Sequence, residues 1–213
     1  METQFWHNKW RAGEIGFHQD EVNTLLKSHL SALGIKKGGR IFVPLCGKTL
    51  DIKWLLDNGY EVAGAELSEL AIMALFEDLG VQPQVSQAGN LKRFHSNNVD
   101  LFVGDIFELT GALLGPVDAI YDRAALVALP PAMRAQYSAH LIEITSSAPQ
   151  LLITFEYAQD AIDGPPFSLD TEEINRQYAD KYNLHAAQTR PVDGGLKGKI
   201  EATETAWLLR RNC

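Results

Sequence analysis

A short turn after an apolar run carries the residue types best suited to chemistry. Residues 40–66 read RIFVPLCGKTLDIKWLLDNGYEVAGAE, with Gly47 in the turn and Glu66 ending a second apolar run 19 residues later. A strand, turn, helix and strand with an acidic residue about 20 positions after the glycine is typical of adenosine-binding sites. In such sites the carboxylate accepts hydrogen bonds from a ribose diol. The spacing therefore predicts a nucleoside site at this turn.

The same turn lacks the glycines that a phosphate-binding loop needs. A triphosphatase P-loop, G-x-x-x-x-G-K-[ST], would need glycine where Phe42 stands. A G-x-G-x-x-G dinucleotide loop would need glycine in place of Leu45 and Leu50. Without these glycines the backbone cannot approach a pyrophosphate closely. An adenosine cofactor without phosphates needs no such cradle, and S-adenosylmethionine is one. A solvent-exposed strand end is the alternative interpretation of Glu66.

Hydrophobic periodicity alternates between strands and helices from residue 40 onward. It predicts strands at 40–44, 61–65, 117–121, 151–157, 185–192 and 203–209, with two short strands within 84–104, and helices at 49–58, 68–79, 132–145 and 171–181. This alternation indicates a mainly parallel sheet with helices on both faces. The last two strands, joined by a glycine-rich loop, form a predicted hairpin, so the final strand is antiparallel. That edge favours a Rossmann-like methyltransferase sheet over a dehydrogenase sheet.

Length, net charge and cysteine content restrict the class of protein further. The 213 residues fit one domain, 1–213, in which residues 1–38 form an N-terminal arm and helix over the active site. A net charge of -8 argues against a nucleic-acid partner. The chain has no apolar run long enough for a membrane span and no signal-peptide pattern. Cys46 and Cys213 stand far apart with no C-x-x-C motif, which argues against a metal site and a disulfide framework. We therefore expect a cytoplasmic protein and, without an apolar interface stripe, a monomer.

Five segments, in order along the chain, carry a resemblance to a known family. They read WHNKWRAGEIGFHQ, VPLCGKTLDIKWLLDNGYEVAGAELS, GDIF, YDRAALVALPPAMRAQY and ITFEYAQDAIDGPPFS. The chain resembles the bacterial type of thiopurine S-methyltransferase, whose first motif also lacks the usual glycines. The resemblance implies a class I S-adenosylmethionine-dependent methyltransferase. Its fold is a three-layer α/β/α arrangement with a mainly parallel, seven-stranded sheet, an antiparallel C-terminal strand and a helical N-terminal arm.

The resemblance also implies which residues contact the cofactor. Trp10 supplies a flat apolar wall from the arm, Leu45 lines the cleft at the end of the first strand, and Glu66 and Arg123 complete the contacts. Core packing is the alternative interpretation of Trp10 and Leu45. Arg123 has an alternative partner in the neighbouring Asp122.

Three further residues, together with Arg123, belong to the predicted adenine and acceptor contacts. Asp105 follows a strand that ends at the same sheet edge, where an acidic residue of a methyltransferase often meets the adenine amino group, and Ile106 would lie against the ring. An unliganded loop carboxylate is the alternative for Asp105. Phe17 matches the aromatic residue on the substrate side and would stack on a planar heteroaromatic ring. Arg123 follows the strand 117–121 and would orient an anionic acceptor.

The implied reaction transfers a methyl group to the sulfur of a thiopurine or a related aromatic or heterocyclic thiol, with selenium and tellurium species as further candidates. We expect no catalytic base, because an acidic thiol reaches the site as thiolate or thione and needs only alignment. Two alternatives stay open. One is a class I methyltransferase with an oxygen or nitrogen acceptor, which needs a base. The other is a cofactor-binding module without turnover.

Three residues near these motifs have no assigned role. Cys46 stands beside the turn, but no histidine is placed to activate it as a nucleophile. His18 stands next to the predicted substrate aromatic, and Glu156 follows a strongly apolar strand. Both are open candidates for the acceptor pocket.

Overall fold

One mixed sheet forms the middle layer of the molecule. The computed structural model describes residues 3–212. Its strands are β1 Arg40–Pro44, β2 Glu61–Glu66, β3 Gln84–Ala88, β4 Leu91–Ser96, β5 Val99–Val103, β6 Ala119–Arg123, β7 Gln150–Glu156, β8 Tyr182–Pro191 and β9 Thr203–Arg211. Their order in the sheet is β3-β4-β5-β2-β1-β6-β7-β9-β8. The strands β5, β2, β1, β6 and β7 run parallel, and β9 is antiparallel to both β7 and β8. The predicted parallel sheet and antiparallel final strand are confirmed.

The helices lie on both faces of this sheet. They are α1 Thr3–Ala12, α2 Thr24–His29, α3 Leu50–Asp57, α4 Glu69–Leu79, α5 Gly111–Leu114, α6 Pro131–Ile144 and α7 Thr171–Tyr178, with 3₁₀ helices at Leu30–Leu33, Ile106–Glu108, Leu126–Ala128 and Gln159–Ala161. Helices α2 to α4 contribute to one hydrophobic cluster, and α5 to α7 contribute to the other. Neighbouring side chains of a strand face opposite sides, and so Phe42 joins one cluster while Ile41 and Val43 join the other. Within residues 3–212, no helix is long and apolar enough to cross a membrane.

The sheet has nine strands across residues 3–212, so the expected count of seven is wrong. The additional pair is the antiparallel hairpin of β3 and β4 at one edge, and residues 84–104 hold three strands instead of two. Most residues of β3 are exposed. Because an exposed strand buries no apolar face, its sequence, QVSQA, does not show the apolar alternation that marks a half-buried strand, and the pattern gave no prediction of it.

One local prediction also needs correction. Arg123 is the last residue of β6 and pairs in register with Ile153, whereas the sequence placed it after the strand. Ser68, the first residue of the helix predicted at 68–79, immediately precedes α4, and its side chain makes no capping hydrogen bond. Its backbone N–H donates instead to the Glu66 carboxylate. This carboxylate links the end of β2 to the start of α4.

Candidate functional site

The Glu66 carboxylate holds the turn that follows β1. Its Oε2 accepts the N–H of Gly47 at 2.8 Å and its Oε1 accepts the N–H of Ser68 at 2.8 Å. The residue is only 6% exposed. Burial raises the pKa of Glu66, and the hydrogen bonds from Ser68 and Gly47 oppose part of that rise. A carboxylate has about four lone-pair sites, so each oxygen keeps acceptor capacity for a ligand.

Two residues with left-handed backbone follow neighbouring parallel strands. Leu45, directly after β1, has φ of 46°, and Ala124, directly after β6, has φ of 61°. Residues other than glycine adopt this conformation at a cost of about 1–2 kcal/mol. Such strain concentrates at ligand sites, where surrounding structure holds it in place. The carboxyl ends of β1 and β6 therefore form a candidate site.

The N-terminal arm closes on the Gly47 turn through its aromatic rings. The ring centroids of Trp10 and Phe17 lie 5.5 Å apart, and those of Trp6 and Phe17 lie 5.7 Å apart. A Cβ added at Gly47 would come within 3.1 Å of Trp10 Cζ2 and 3.9 Å of Phe17 Cε2. Both predicted arm residues thus lie directly over the turn. Gly47 also has φ of 53°, so glycine is favoured there for backbone conformation and for space.

The Arg123 side chain reaches the arm from β6. Its Nη2 donates to the carbonyl oxygen of Phe17 at 3.4 Å, and the residue is half-buried. No ion pair to Arg123 occurs within residues 3–212. Asp122, the alternative partner, instead accepts the Tyr137 hydroxyl at 2.8 Å and the N–H of Leu126 at 3.2 Å. A guanidinium has five N–H donors, so Arg123 retains donors for an anionic ligand.

Asp105 and Ile106 lie one strand further along the same edge. Glu66 at the end of β2 pairs in register with Val103, the last residue of β5. Asp105 and Ile106 come just after that strand. Asp105 is exposed and its Oδ1 accepts the N–H of Phe107 at 3.0 Å, while Ile106 is buried. Asp105 therefore caps the 3₁₀ helix Ile106–Glu108 and faces solvent, with one carboxylate oxygen uncommitted to that cap.

A buried polar link behind the site was not predicted from the sequence. Asp51 is 1% exposed; its Oδ1 accepts the N–H of Asn23 at 2.8 Å and its Oδ2 accepts the Tyr121 hydroxyl at 2.9 Å. These bonds join the start of α2, the start of α3 and β6. An acidic residue two positions after Thr49 is expected only to favour the helix N-terminus. Its place in PLCGKTLD, within a segment that carries the family resemblance, was a signal of a role, without indicating which partners it has.

Two side chains near the turn have perturbed ionisation. Burial and the nearby Lys48 ammonium lower the pKa of His18. Burial, with a smaller effect of the Glu66 charge, raises the pKa of the Cys46 thiol. Because the thiolate is the reactive form, the buried Cys46 is held unreactive, in agreement with the expectation that it is not activated as a nucleophile. Cys213 lies outside the described residues.

Two open clefts lie beyond the end of β7, away from the Gly47 turn. One, of about 580 Å³, is lined by residues that include Arg134, Tyr157 and Phe167; the other, of about 610 Å³, lies against the β8–β9 loop. Glu156 lines both clefts. Volumes of this size suit small-molecule ligands. In the described part of the chain, no group of three or more His, Cys, Asp or Glu side chains is arranged to hold a metal ion.

Comparison with known proteins gives the family. The family model described as Thiopurine S-methyltransferase (TPMT) matches residues 1–211. The chain belongs to the thiopurine S-methyltransferase family. A relative of that name from Xanthobacter autotrophicus is 53% identical over 99% of this chain and 100% of its own length. Another, from Teredinibacter turnerae, is 50% identical over 100% of this chain and 99% of its own. The resemblance of the five sequence segments is thereby confirmed.

Solved structures confirm the fold of this family member. A SAM-dependent methyltransferase from Anabaena variabilis aligns with a TM-score of 0.70 at 11% identity, covering 99% of this chain and 95% of that one. A 1,6-didemethyltoxoflavin-N1-methyltransferase from Burkholderia thailandensis, solved with S-adenosylhomocysteine, aligns with a TM-score of 0.68 at 14% identity, covering 99% and 87%. At these identities the likeness shows the fold alone, which is the expected class I methyltransferase fold.

The residues at this edge fit the methyl donor of the family. The Gly47 turn has no glycine-rich phosphate cradle, and the donor has no phosphates. Glu66 is a buried carboxylate with acceptor capacity left, which suits a ribose diol. Trp10 and Phe17 offer apolar walls from the arm. The donor set is therefore compatible with S-adenosylmethionine.

Proposed function

We propose that this protein transfers a methyl group from S-adenosylmethionine to the sulfur of a thiopurine or a related aromatic or heterocyclic thiol. The observation that carries the proposal is the meeting of three elements at one turn. Glu66 holds the Gly47 amide, Trp10 and Phe17 cover it, and Arg123 reaches the Phe17 carbonyl. Family membership supports the sulfur acceptor, and selenium and tellurium species remain further candidates.

Each residue has a distinct role in the proposed site. When bound, S-adenosylmethionine supplies a methyl group already activated by the sulfonium charge. Glu66 and Leu45 bind the donor side of the cleft, and Trp10 excludes water from it. Phe17 stacks on the acceptor ring, and the Arg123 guanidinium favours the anionic, thiolate form of the acceptor.

Asp105 and Ile106 complete the donor site in this proposal. Asp105 is exposed just past β5 and binds the adenine amino group through the oxygen that does not cap the 3₁₀ helix. Ile106 is buried beside it and supports the ring. No residue is assigned as a general base, since alignment and exclusion of water are sufficient for an acidic thiol.

We further propose that the protein acts as a single-domain, cytoplasmic monomer on small molecules, with no nucleic-acid or membrane partner. Its acidic composition and its lack of a cysteine framework support this proposal. Light scattering on the eluted peak of a sizing column tests the oligomeric state, and a mass of twice 23.6 kDa would contradict it.

Acceptor identity is tested with labelled S-adenosylmethionine and matched acceptors. Thiophenol and a thiopurine should accept label, whereas phenol and aniline should accept at least about tenfold less, the rate equivalent of about 1.4 kcal/mol in the barrier. Equal or greater labelling of phenol or aniline would favour an oxygen or nitrogen acceptor. Tight donor binding by calorimetry with no labelled thiol would favour a non-catalytic module.

Matched arginine variants test the role of Arg123. Arg123→Ala should lower kcat/KM for the thiol by about tenfold or more, since charge-assisted contacts contribute about 1.5–3 kcal/mol. Arg210→Ala is the control, because its Nη2 also donates to one backbone carbonyl, that of Ala32, at 2.9 Å. If both variants keep wild-type turnover, Arg123 does not act on the acceptor.

A further inference from the structure

The end of β6 is held from both faces of the sheet by pairs of a tyrosine and a buried carboxylate. On one face Tyr121 donates its hydroxyl to Asp51 at 2.9 Å. On the other face Asp122 accepts the hydroxyl of Tyr137, from α6, at 2.8 Å. All four residues are at most 1% exposed. None of them presents its polar group to solvent, so their bonds act within the protein.

The Asp122 pair acts on the turn that carries Arg123. Asp122 is fully buried, and its Oδ1 accepts the N–H of Leu126 at 3.2 Å across the turn. Between them Ala124 is held at φ of 61°. The Glu66 carboxylate does the same to the first turn, where it accepts the N–H of a residue two positions after the left-handed Leu45. In both turns a buried carboxylate fixes strained backbone.

We propose that Asp122 and Tyr137 are positioning residues that direct Arg123 toward the acceptor, an inference that rests on the function proposed above. Arg123 is half-buried and makes no ion pair within residues 3–212. Apart from its long hydrogen bond to the Phe17 carbonyl, its direction depends on the backbone at the end of β6. Asp122 precedes it and Tyr137 fixes Asp122 from the neighbouring helix.

The ionisation state of Asp122 affects how firmly it holds the turn after β6. Burial raises the pKa of Asp122 to about 6, and the bonds from Tyr137, Leu126 and Ala125 oppose the rise. Tyr137 and Tyr178, which face it from α6 and α7, stay protonated because burial raises the pKa of each well above its ordinary value. Protonation of Asp122 weakens its hold on the turn. Acceptor turnover should therefore fall below about pH 6.

Removing one hydroxyl tests the inference. In Tyr137→Phe, kcat/KM for thiophenol should fall about tenfold, since small misplacement of a catalytic group can cost up to about a hundredfold. The acid limb of this variant's pH–rate profile, where turnover falls with falling pH, should move to higher pH. The reason is that a hydrogen bond that opposes the raised pKa of Asp122 is lost. Tyr182→Phe is the matched control: its buried hydroxyl donates to Ala148 at 3.0 Å, before β7 and thus at the opposite edge. That variant should keep the wild-type rate and limb.

Combination with Arg123→Ala separates positioning from general destabilisation. If Tyr137 acts through Arg123, adding Tyr137→Phe to Arg123→Ala should change kcat/KM by less than about twofold, because contacts in one network are not additive. Additive losses, or equal losses in Tyr137→Phe and Tyr182→Phe, would overturn the proposal. Asp122→Asn has one acceptor oxygen for the two donors, Tyr137 and Leu126, so it should show the low turnover of the protonated carboxyl at every pH and lose the part of the acid limb that titrates with Asp122. An inactive wild type would instead refute the proposed function, whereas an Arg123→Ala variant with full activity would refute the role of Arg123 and with it this inference.

Discussion

Replacing Glu66 with glutamine should weaken the protein before any ligand is added. The carboxylate accepts the N–H groups of Gly47 and Ser68, each at 2.8 Å, and is nearly buried. A glutamine side chain has one carbonyl oxygen, and its amide group is a donor. Glu66→Gln can therefore satisfy one of the two backbone donors, and it places a second donor against the other.

The magnitude follows from these two bonds. Losing one charge-assisted hydrogen bond and leaving its N–H unsatisfied costs about 1.5–3 kcal/mol. Burial raises the pKa of Glu66, so removing the charge returns part of that cost. We expect a net loss of about 2 kcal/mol in the free energy of unfolding. For a domain of this size this corresponds to a Tm lower by about 4–8 °C.

Calorimetry on the ligand-free protein gives this value, and titration with S-adenosylhomocysteine at 15 °C gives the affinity. Loss of one ribose hydrogen bond, about 1 kcal/mol, should raise Kd about fivefold. Asp100→Asn is the control: Asp100 is a nearly buried carboxylate that accepts bonds from Arg93 and Arg40, and it lies near the start of β5, at the opposite edge. It should lower Tm and leave Kd unchanged. An unaltered Tm in Glu66→Gln would refute its role in the turn, and an unaltered Kd would refute donor binding.

Three further changes test the same edge. The pKa of Asp122 is raised to about 6 from an ordinary 3.8, so between these pH values the folded protein binds a proton that the unfolded chain does not. As pH falls from 7 to 4, the unfolding free energy of wild type should therefore rise by up to about 3 kcal/mol relative to that of Asp122→Asn. Urea unfolding of both proteins at each pH measures this difference. Gly47→Ala should weaken donor binding at least about tenfold in calorimetry, because its Cβ meets Trp10 at 3.1 Å and its φ is 53°. Ala124→Gly should relieve backbone strain and raise the unfolding free energy by up to about 1 kcal/mol, while kinetics show lower thiol turnover because Arg123 is held less firmly. Three outcomes would contradict these expectations: a stability difference between wild type and Asp122→Asn that does not change with pH, wild-type donor affinity in Gly47→Ala, and wild-type thiol turnover in Ala124→Gly.

The parts of this fold that bury apolar side chains could be predicted from the sequence. The strand at 40–44 has the bounds of β1, and the helix at 68–79 differs from α4 by its first residue. The apolar run of β2 likewise brought Glu66 to its end, as expected. The exposed strand β3 could not be seen in the same way, because its pairing with β4 depends on the backbone and leaves little apolar pattern.

The polar interior of the site was beyond sequence reasoning for a different reason. A buried carboxylate is tolerated where its partners come close, and those partners are remote in the chain. Asp51 takes its bonds from Asn23 and from Tyr121, which is 70 positions away. Asp122 takes one from Tyr137 on another element. From the sequence we considered Asp122 only as a partner of Arg123, because the two residues are neighbours in the chain.

The sheet topology explains why strain and buried charge meet at this edge. Strands β1 and β6 are neighbours although four strands separate them in the chain, so the connections leave them in opposite directions and open a crevice between their carboxyl ends. A ligand in that crevice needs backbone that turns away sharply, which Leu45 and Ala124 provide through their left-handed conformation. Strain of this kind persists only where other bonds over-determine it. Glu66 and Asp122 each bind an amide two residues after the strained position, so the same two carboxylates that stabilise the turns also fix the geometry of the donor side and the acceptor side.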